Sequence, residues 1–201
     1  MKIDSVLVVG CGGLGGFVIE GLARLGIKNL FLMDGDSFCE SNMNRQLESG
    51  LDTLGQNKAL VYKSRLEKKF NIEVKAIPEF INETNQDIIK SADIVMDCVD
   101  TISARLFLAK SCAEHGKVLI HGGLEGSCGQ ACVCFPGENK IAKLYKNKDE
   151  QKHSTNVYTV ATIASLQVNL LKKLIDGKDD ELKNKLILAD LDSFAIDIIN
   201  I

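Results

Sequence analysis

The residues with chemical potential fall into three clusters in the first half of the chain. Gly10-Cys11-Gly12-Gly13-Leu14-Gly15 fits G-x-G-x-x-G and follows a short apolar run, Val6–Val9. Glycines at this spacing let the backbone approach a phosphate, whose charge is met by free N–H groups and the positive end of a following helix. A tight glycine turn with no ligand is the bland alternative. Asp34 lies about 20 residues further on, at the end of a second apolar run, where an acid can take a ribose hydroxyl. These features specify a nucleotide but not which one, and a dinucleotide-binding dehydrogenase satisfies them equally. The second cluster, residues 34–46, reads Asp-Gly-Asp-Ser-Phe-Cys-Glu-Ser-Asn-Met-Asn-Arg-Gln, with Gly55-Gln56-Asn57-Lys58 soon after. The third, Asp97-Cys98-Val99-Asp100, closes a later apolar run.

Positioning these residues is the work of alternating strands and helices. Val6–Val9 reads as a strand buried on both faces. From Gly15 the period turns helical, with Phe17, Ile19, Leu22, Ala23 and Leu25 on an apolar face and Gly26 as C-cap. Leu30–Met33 is a second buried strand, completing one βαβ unit. Residues 36–55 are irregular, polar and too long for a routine connection, which marks a functional or mobile loop. Lys58–Phe70 is helical, Glu73–Ile77 is a strand stopped by Pro78, and Ser103–His115 is a helix between the strands Ile94–Met96 and Val118–Ile120. From Gln130, Ala131, Val133 and Phe135 alternate with Cys132 and Cys134, the pattern of an antiparallel strand. Residues 137–155 are expected to be a surface loop, with the charged and amide run Asp149–Lys152 inside it. Val157–Ile175 is a buried helix, and Leu186–Leu188 and Ala195–Ile199 are final strands. The expected fold is α/β and Rossmann-like: a doubly wound, mostly parallel sheet with helices on both faces and antiparallel C-terminal strands.

Composition narrows the class. At 201 residues, one domain spanning 1–201 is expected. Apolar types make up 45% and charged types 25%, the balance of a folded chain rather than a disordered one. A net charge of −3, from 24 basic and 27 acidic residues, argues against a sequence-independent nucleic-acid binder. No apolar run approaches the roughly 18 residues of a membrane span, and no signal-peptide pattern follows Met1. Seven irregularly spaced cysteines fit reduced thiols in the cytoplasm.

The three clusters taken in order resemble the ThiF/MoeB/HesA family, the ATP-dependent activators of ubiquitin-like sulfur carriers. That family shows a G-x-G-G-L-G loop, an Asp-x-Asp strand end, a Ser-Asn-x-x-Arg-Gln segment, a Gly-Gln-x-Lys helix start and a Cys-x-Asp strand end. All five occur here between residues 6 and 100, and Ala164-Ser-Leu-Gln167 matches a later family pattern. The resemblance implies an ATP site made of Gly10, Gly12, Gly13, Gly15, Asp34, Asp36, Asn42, Arg45, Gln46 and Lys58. Within it Gly12 and Gly13 lie against the phosphates, Asp34 binds the ribose, and Asn42 and Arg45 contact phosphate oxygens. Arg45, Lys58 and Asp100 are the implied catalytic residues. Lys58 would face the leaving pyrophosphate and Asp100 would hold Mg²⁺. Each has a plainer alternative: Arg45 and Lys58 as solvated surface charges, Asp100 as a helix N-cap, and Asp36, Asn42 and Asn44 as turn residues.

Departures limit the carry-over. Many relatives hold a structural zinc with two Cys-x-x-Cys pairs, whereas Cys128, Cys132 and Cys134 form C-x-x-x-C-x-C without a second pair, so no zinc is expected. These cysteines are expected to pack as small apolar groups. His115 reads as a helix-end cation, His121 as a strand-end residue near the cleft and His153 as exposed loop. The sequence starts at the first strand, so the helix that precedes it in the family, and an arginine that helix supplies to the partner subunit's ATP site, are expected to be absent. The implied activity is adenylation of a ThiS-type carrier of thiamine thiazole synthesis, with MoaD-type carriers as the alternative, by a homodimer. An NAD-dependent oxidoreductase and a catalytically weak binding homologue are the competing readings. No cysteine follows Cys134, and the nearest remaining candidate nucleophile for an acyl intermediate is Cys128, placed in a turn, Gly126–Gly129, the other cysteines being explained by packing.

Overall fold

The computed structural model describes residues 2–148 and 155–201. An eight-stranded sheet runs through the molecule in the order β3-β2-β1-β4-β5-β6-β7-β8. β1 (Ser5–Val9), β2 (Asn29–Met33), β3 (Glu73–Ile77), β4 (Ile94–Asp97) and β5 (Val118–Glu125) are mutually parallel. At β5 the direction changes, and β6 (Cys128–Cys134), β7 (Lys185–Asp190) and β8 (Ala195–Asn200) complete the sheet antiparallel. Both faces of β1 are buried as the apolar run requires: Val6 and Val8 join one core, Leu7 and Val9 the other. The first core is covered by α1 (Gly13–Leu25), α2 (Lys58–Lys69) and α5 (Val157–Ile175). The second lies under α3 (Ile102–Glu114) and α4 (Lys140–Leu144). The fold is therefore the α/β, mostly parallel architecture that the apolar runs imply.

Helix boundaries follow from capping. Asn57 caps α2 by accepting from Leu60 N, and Gly26 closes α1 at φ 92° with its N–H returned to the last turn. Thr101 caps α3 by accepting from Ala104 N, which corrects the N-cap alternative for Asp100 and leaves that carboxylate outside the cap. His115 is the C-cap of α3.

Several boundaries differ from the sequence pattern. α1 begins at Gly13, two residues before the apolar period is visible. β5 runs to Glu125 rather than stopping near Ile120, because His121 is buried through a carboxylate partner and Gly122 makes room for Gln167. His121 is thus mid-strand, not at a strand end. The 137–155 loop contains α4, whose Ile141 is buried against the second core. His153 and the run Asp149–Lys152 lie outside the described residues. Cys128 opens β6 and is exposed, so it neither sits in a turn nor packs with Cys132 and Cys134, which are buried. Among the described residues no helix is long and apolar enough to cross a membrane.

Two glycines of the first loop are fixed by packing. A Cβ on Gly15 would stand 1.8 Å from the Gly10 carbonyl oxygen, and one on Gly10, at φ 91°, would stand 2.5 Å from the Cys98 carbonyl oxygen. Gly15→Ala is expected to cost about 3 kcal/mol or more, because backbone rather than a flexible side chain must move. Gly26→Ala meets nothing within 4 Å, and only its left-handed φ counts against it, at about 1–2 kcal/mol. Urea unfolding of both variants measures the difference, and equal midpoints would show that the loop tolerates the clash.

Candidate active site

The parallel register sets the carboxyl ends of four strands side by side. Val9 pairs with Met33 on one flank and with Asp97 on the other, and Met33 pairs with Ile77. The glycine loop, Asp34 and the Asp97–Asp100 segment therefore leave the sheet at one edge, where open α/β sheets bind ligands. Gly10 and Gly15 hold the loop against β4 and α1. Gly12 and Gly13 are the open positions: an added Cβ would meet only the Gln46 side chain at 3.5 Å, or Arg45 and Val160 at about the same contact distance. Gln46 is buried, and its Oε1 has no hydrogen-bond partner among the described residues. A buried orphan acceptor beside bare backbone is the signature of a site that a ligand or water completes.

Asp34 is 7% exposed, and its carboxylate accepts from Cys11 N at 2.6 Å and from Asp36 N at 2.8 Å. Burial pushes its carboxyl up, against the pull of those two amides and of Lys58. It therefore ties the glycine loop to the turn after β2. Lys58 is 6% exposed rather than a solvated surface charge, and its Nζ donates to Asp36 Oδ2 at 2.9 Å. Asp36 is accordingly an ion-pair partner and not only a turn residue. Asn42 is buried and its Oδ1 accepts from Cys39 N, bracing a 3-10 turn, Glu40–Asn42. Arg45 Nη1 donates to Ser41 O and Asn44 Oδ1, both neutral acceptors, while its stem flanks Gly13.

Beyond β4, a polar network occupies ground that motif reading missed. Asp97 is fully buried and takes Arg105 Nε at 3.1 Å and His121 Nδ1 at 2.7 Å. Arg105 also donates to Val99 O, Gly122 O and Tyr145 Oη. Tyr145 Oη receives Gln130 Nε2 as well, at 2.9 Å, which leaves its proton for His121 Nε2 at 3.3 Å. Burial would raise the Asp97 carboxyl, but Arg105 and His121 outweigh it and hold it below its ordinary value. Burial, with Arg105 adding to it, lowers His121 and keeps the imidazole neutral. Asp97 lies in the third cluster and His121 follows an apolar run, but no motif announces Arg105, Gln130 or Tyr145. An open cavity of about 570 Å³ lies alongside, lined among others by Asp100, Arg105, Gln130, Tyr145 and Lys148. Asp100 is exposed at its edge. Among the described residues no group of three or more His, Cys, Asp or Glu gathers to hold a metal. A single exposed carboxylate still suits Mg²⁺, which takes one or two carboxylates together with substrate phosphates and waters.

Comparison with known proteins shows the family. The ThiF family model matches residues 2–201, and the chain belongs to that family. Protein HesA of Leptolyngbya boryana is 31% identical over 197 residues, covering 95% of this chain and 71% of that protein. The tRNA threonylcarbamoyladenosine dehydratase of Haemophilus influenzae is 36% identical over 151 residues, 73% of this chain and 55% of its own length. The adenylyltransferase and sulfurtransferase MOCS3 of Drosophila ananassae is 30% identical over 200 residues, 94% of this chain and 44% of its own. The crystal structure of E. coli MccB with AMPCPP and selenomethionine MccA superposes with a TM-score of 0.81 at 27% identity, covering 98% of this chain. This chain spans 63% of the length of that MccB chain.

The buried network makes stability depend on pH. The unfolded chain binds a proton on His121 near the ordinary value of 6.5, whereas the folded chain resists it, so the unfolded state holds more protons below that pH. Stability is therefore expected to fall as pH drops below 6.5, and Asp97, depressed from 3.8, adds a loss below that value. Urea midpoints across this range check it. His121→Asn should lower stability at neutral pH and flatten the slope between those pH values. An unchanged slope would mean that His121 is not held neutral.

Proposed function

We propose that this ThiF-family chain catalyses ATP-dependent adenylation of the C-terminal carboxylate of a small ubiquitin-like sulfur-carrier protein, with release of pyrophosphate. The supporting observation is the bare backbone of Gly12 and Gly13, where an added Cβ would meet nothing closer than 3.5 Å, bordered by the unpaired Gln46 Oε1 and by Arg45, on the strand edge that also carries Asp34 and Asp100. We take residues 1–201 as one ATP-binding adenylyltransferase domain, acting as a cytoplasmic homodimer. A ThiS-like carrier of thiamine thiazole synthesis is the acceptor we favour over a MoaD-like one. The dehydratase relative, at 36% identity over most of this chain, supports a second acceptor class, a carboxyl group carried on tRNA.

In this reading one carboxylate oxygen of the carrier tail attacks the α-phosphorus of ATP. The new C–O–P bond forms as the bond from the α-phosphorus to the bridging oxygen breaks, and pyrophosphate leaves with the electron pair. Both reactants are anionic, so the barrier is chiefly one of gathering and neutralising negative charge. Arg45 offers a planar fork of donors to phosphate oxygens. Lys58, held by Asp36, adds a buried positive centre beside Asp34. Backbone N–H groups at Gly12 and Gly13 take the phosphates at the start of α1. Asp100 would hold Mg²⁺, which supplies charge neutralisation at the phosphates when bound. The cavity beyond Asp100 gives the acceptor tail a route to the same edge.

Arg45→Ala is expected to lower adenylation about 10²–10³-fold, the cost of losing one preorganised donor to transition-state charge. Folding should change by no more than roughly 0.5 kcal/mol, since among the described residues Arg45 hydrogen-bonds within its own loop. Pyrophosphate exchange with ThiS-like and MoaD-like carriers, a peptide and tRNA as acceptors measures the effect and identifies the acceptor. Normal exchange in the variant would remove Arg45 from the mechanism, and no exchange with any acceptor would sink the activity.

Catalysis is further expected to stop at the acyl-adenylate. Desolvation pushes the Cys128 thiol up, and so do Asp190, 3.7 Å from Sγ, and the nearby Asp192 and Glu125. A thiol in such acidic company is a poor nucleophile. Intact mass of enzyme, carrier and Mg-ATP under non-reducing conditions should show no enzyme–carrier adduct. A reductant-sensitive adduct lost in Cys128→Ala would reverse this assignment.

A further inference from the structure

Phe80 is out of place as a core residue. It is 63% exposed, yet its ring lies directly on the backbone of Gly35, where an added Cβ would stand 2.6–2.9 Å from three ring carbons. Gly35 is the residue between Asp34 and Asp36. An exposed phenylalanine on a loose loop would mean little, but this loop is braced. The Phe80 carbonyl accepts from Asn82 Nδ2 at 3.0 Å and from Asn85 Nδ2 at 2.9 Å, while Asn85 Oδ1 accepts from Asn82 N at 2.8 Å. Asn85 Nδ2 also reaches Glu79 Oε2 at 3.0 Å. The backbone that carries the ring is thus braced, and the ring itself rests on Gly35 with most of its surface in water.

That position is set by the sheet. Strand order and register line up the loops after β3, β2, β1 and β4 along one edge. Phosphates at the glycine loop after β1 and a ribose at Asp34 after β2 direct the rest of a nucleotide towards the β3 side. Phe80 follows β3 by three residues. Of the large aromatics that are more than a third exposed, Tyr158 opens α5 and Phe194 lies between β7 and β8, so Phe80 alone stands on this stretch of the edge.

We infer that Phe80, braced by Asn82 and Asn85 and seated on Gly35, is the platform on which the purine base of the nucleotide stacks. The inference rests on the ATP reading above and adds the residue that binds the base. Gly35 is required by it, since any side chain there would displace the ring.

The chain contains no tryptophan, so Phe80→Trp creates a single fluorescent reporter at the site. ATP should quench this fluorescence, and inorganic tripolyphosphate, which has no base, should not. Calorimetry on Phe80→Ala should show ATP bound about 5- to 100-fold more weakly than by the wild type, the usual loss for one base–aromatic stack. Tripolyphosphate affinity should be unchanged, and Phe80→Tyr should stay near wild type. Equal ATP affinity in wild type and Phe80→Ala would overturn the inference, as would an equal loss for ATP and tripolyphosphate. Failure of the wild type itself to bind ATP would instead overturn the nucleotide reading.

Discussion

The buried Asp97 carboxylate is the point on which the cleft hangs. It sits at the last residue of β4 with no access to solvent and would be prohibitively costly there alone. Arg105 from α3 and His121 from β5 make it tolerable, and each contact fixes a different element. Through Arg105 the carbonyls of Val99 and Gly122 are held, so the turn that presents Asp100 is tied to the middle of β5. Through Tyr145 the end of α4 is drawn to the same knot. Removing one member of such a buried pair typically costs about 3–5 kcal/mol, because the survivor is left charged and unpaired. Gln167 works on the other face, donating to the Asp97 and Ile120 carbonyls from α5, so that β4 and β5 are clamped between helices.

Part of this was legible in the sequence for physical reasons. Strands buried on both faces read as unbroken apolar runs, and β1, β2, β4 and the start of β5 stand out in this way. The glycine loop was legible because spacing alone carries its meaning. What was hidden depends on partners far away in the chain. The second half of β5 is polar and glycine-rich, and only the contact with Asp97, 24 residues earlier, makes His121 a strand interior. Arg105 and Tyr145 are 40 residues apart and meet only because α3 and α4 cover the same core. α4 itself is five residues long, too short for a period to show.

The glycine loop shows a division of labour that the motif letters conceal. Gly10 and Gly15 are excluded from bearing side chains by their neighbours' backbone, and so they serve the fold. A Cβ on Gly12 or Gly13 would meet only ordinary contacts, so the fold itself does not exclude a side chain there. Asp34 belongs to the first task as well as to the ribose role proposed for it, since its carboxylate anchors Cys11 N inside the loop. A substitution at Asp34 would therefore disturb both loop and ligand.

Charge decides which cations can matter to a triphosphate. The chain as a whole is negative at −3, so attraction must be local. Lys58 is buried, but its charge is already matched by Asp36 at 2.9 Å. Facing a phosphate, it acts as half of an ion pair, and the neighbouring carboxylate weakens the field it projects. Arg45 differs, because its hydrogen bonds end on a carbonyl and a carboxamide, and among the described residues no carboxylate pairs with it. Its stem flanks Gly13, and two neutral acceptors hold the guanidinium in orientation without cancelling its charge. Of the two cations at this edge, Arg45 is therefore the one whose charge a phosphate would feel most, while Lys58 chiefly keeps Asp36 and the turn after β2 in place.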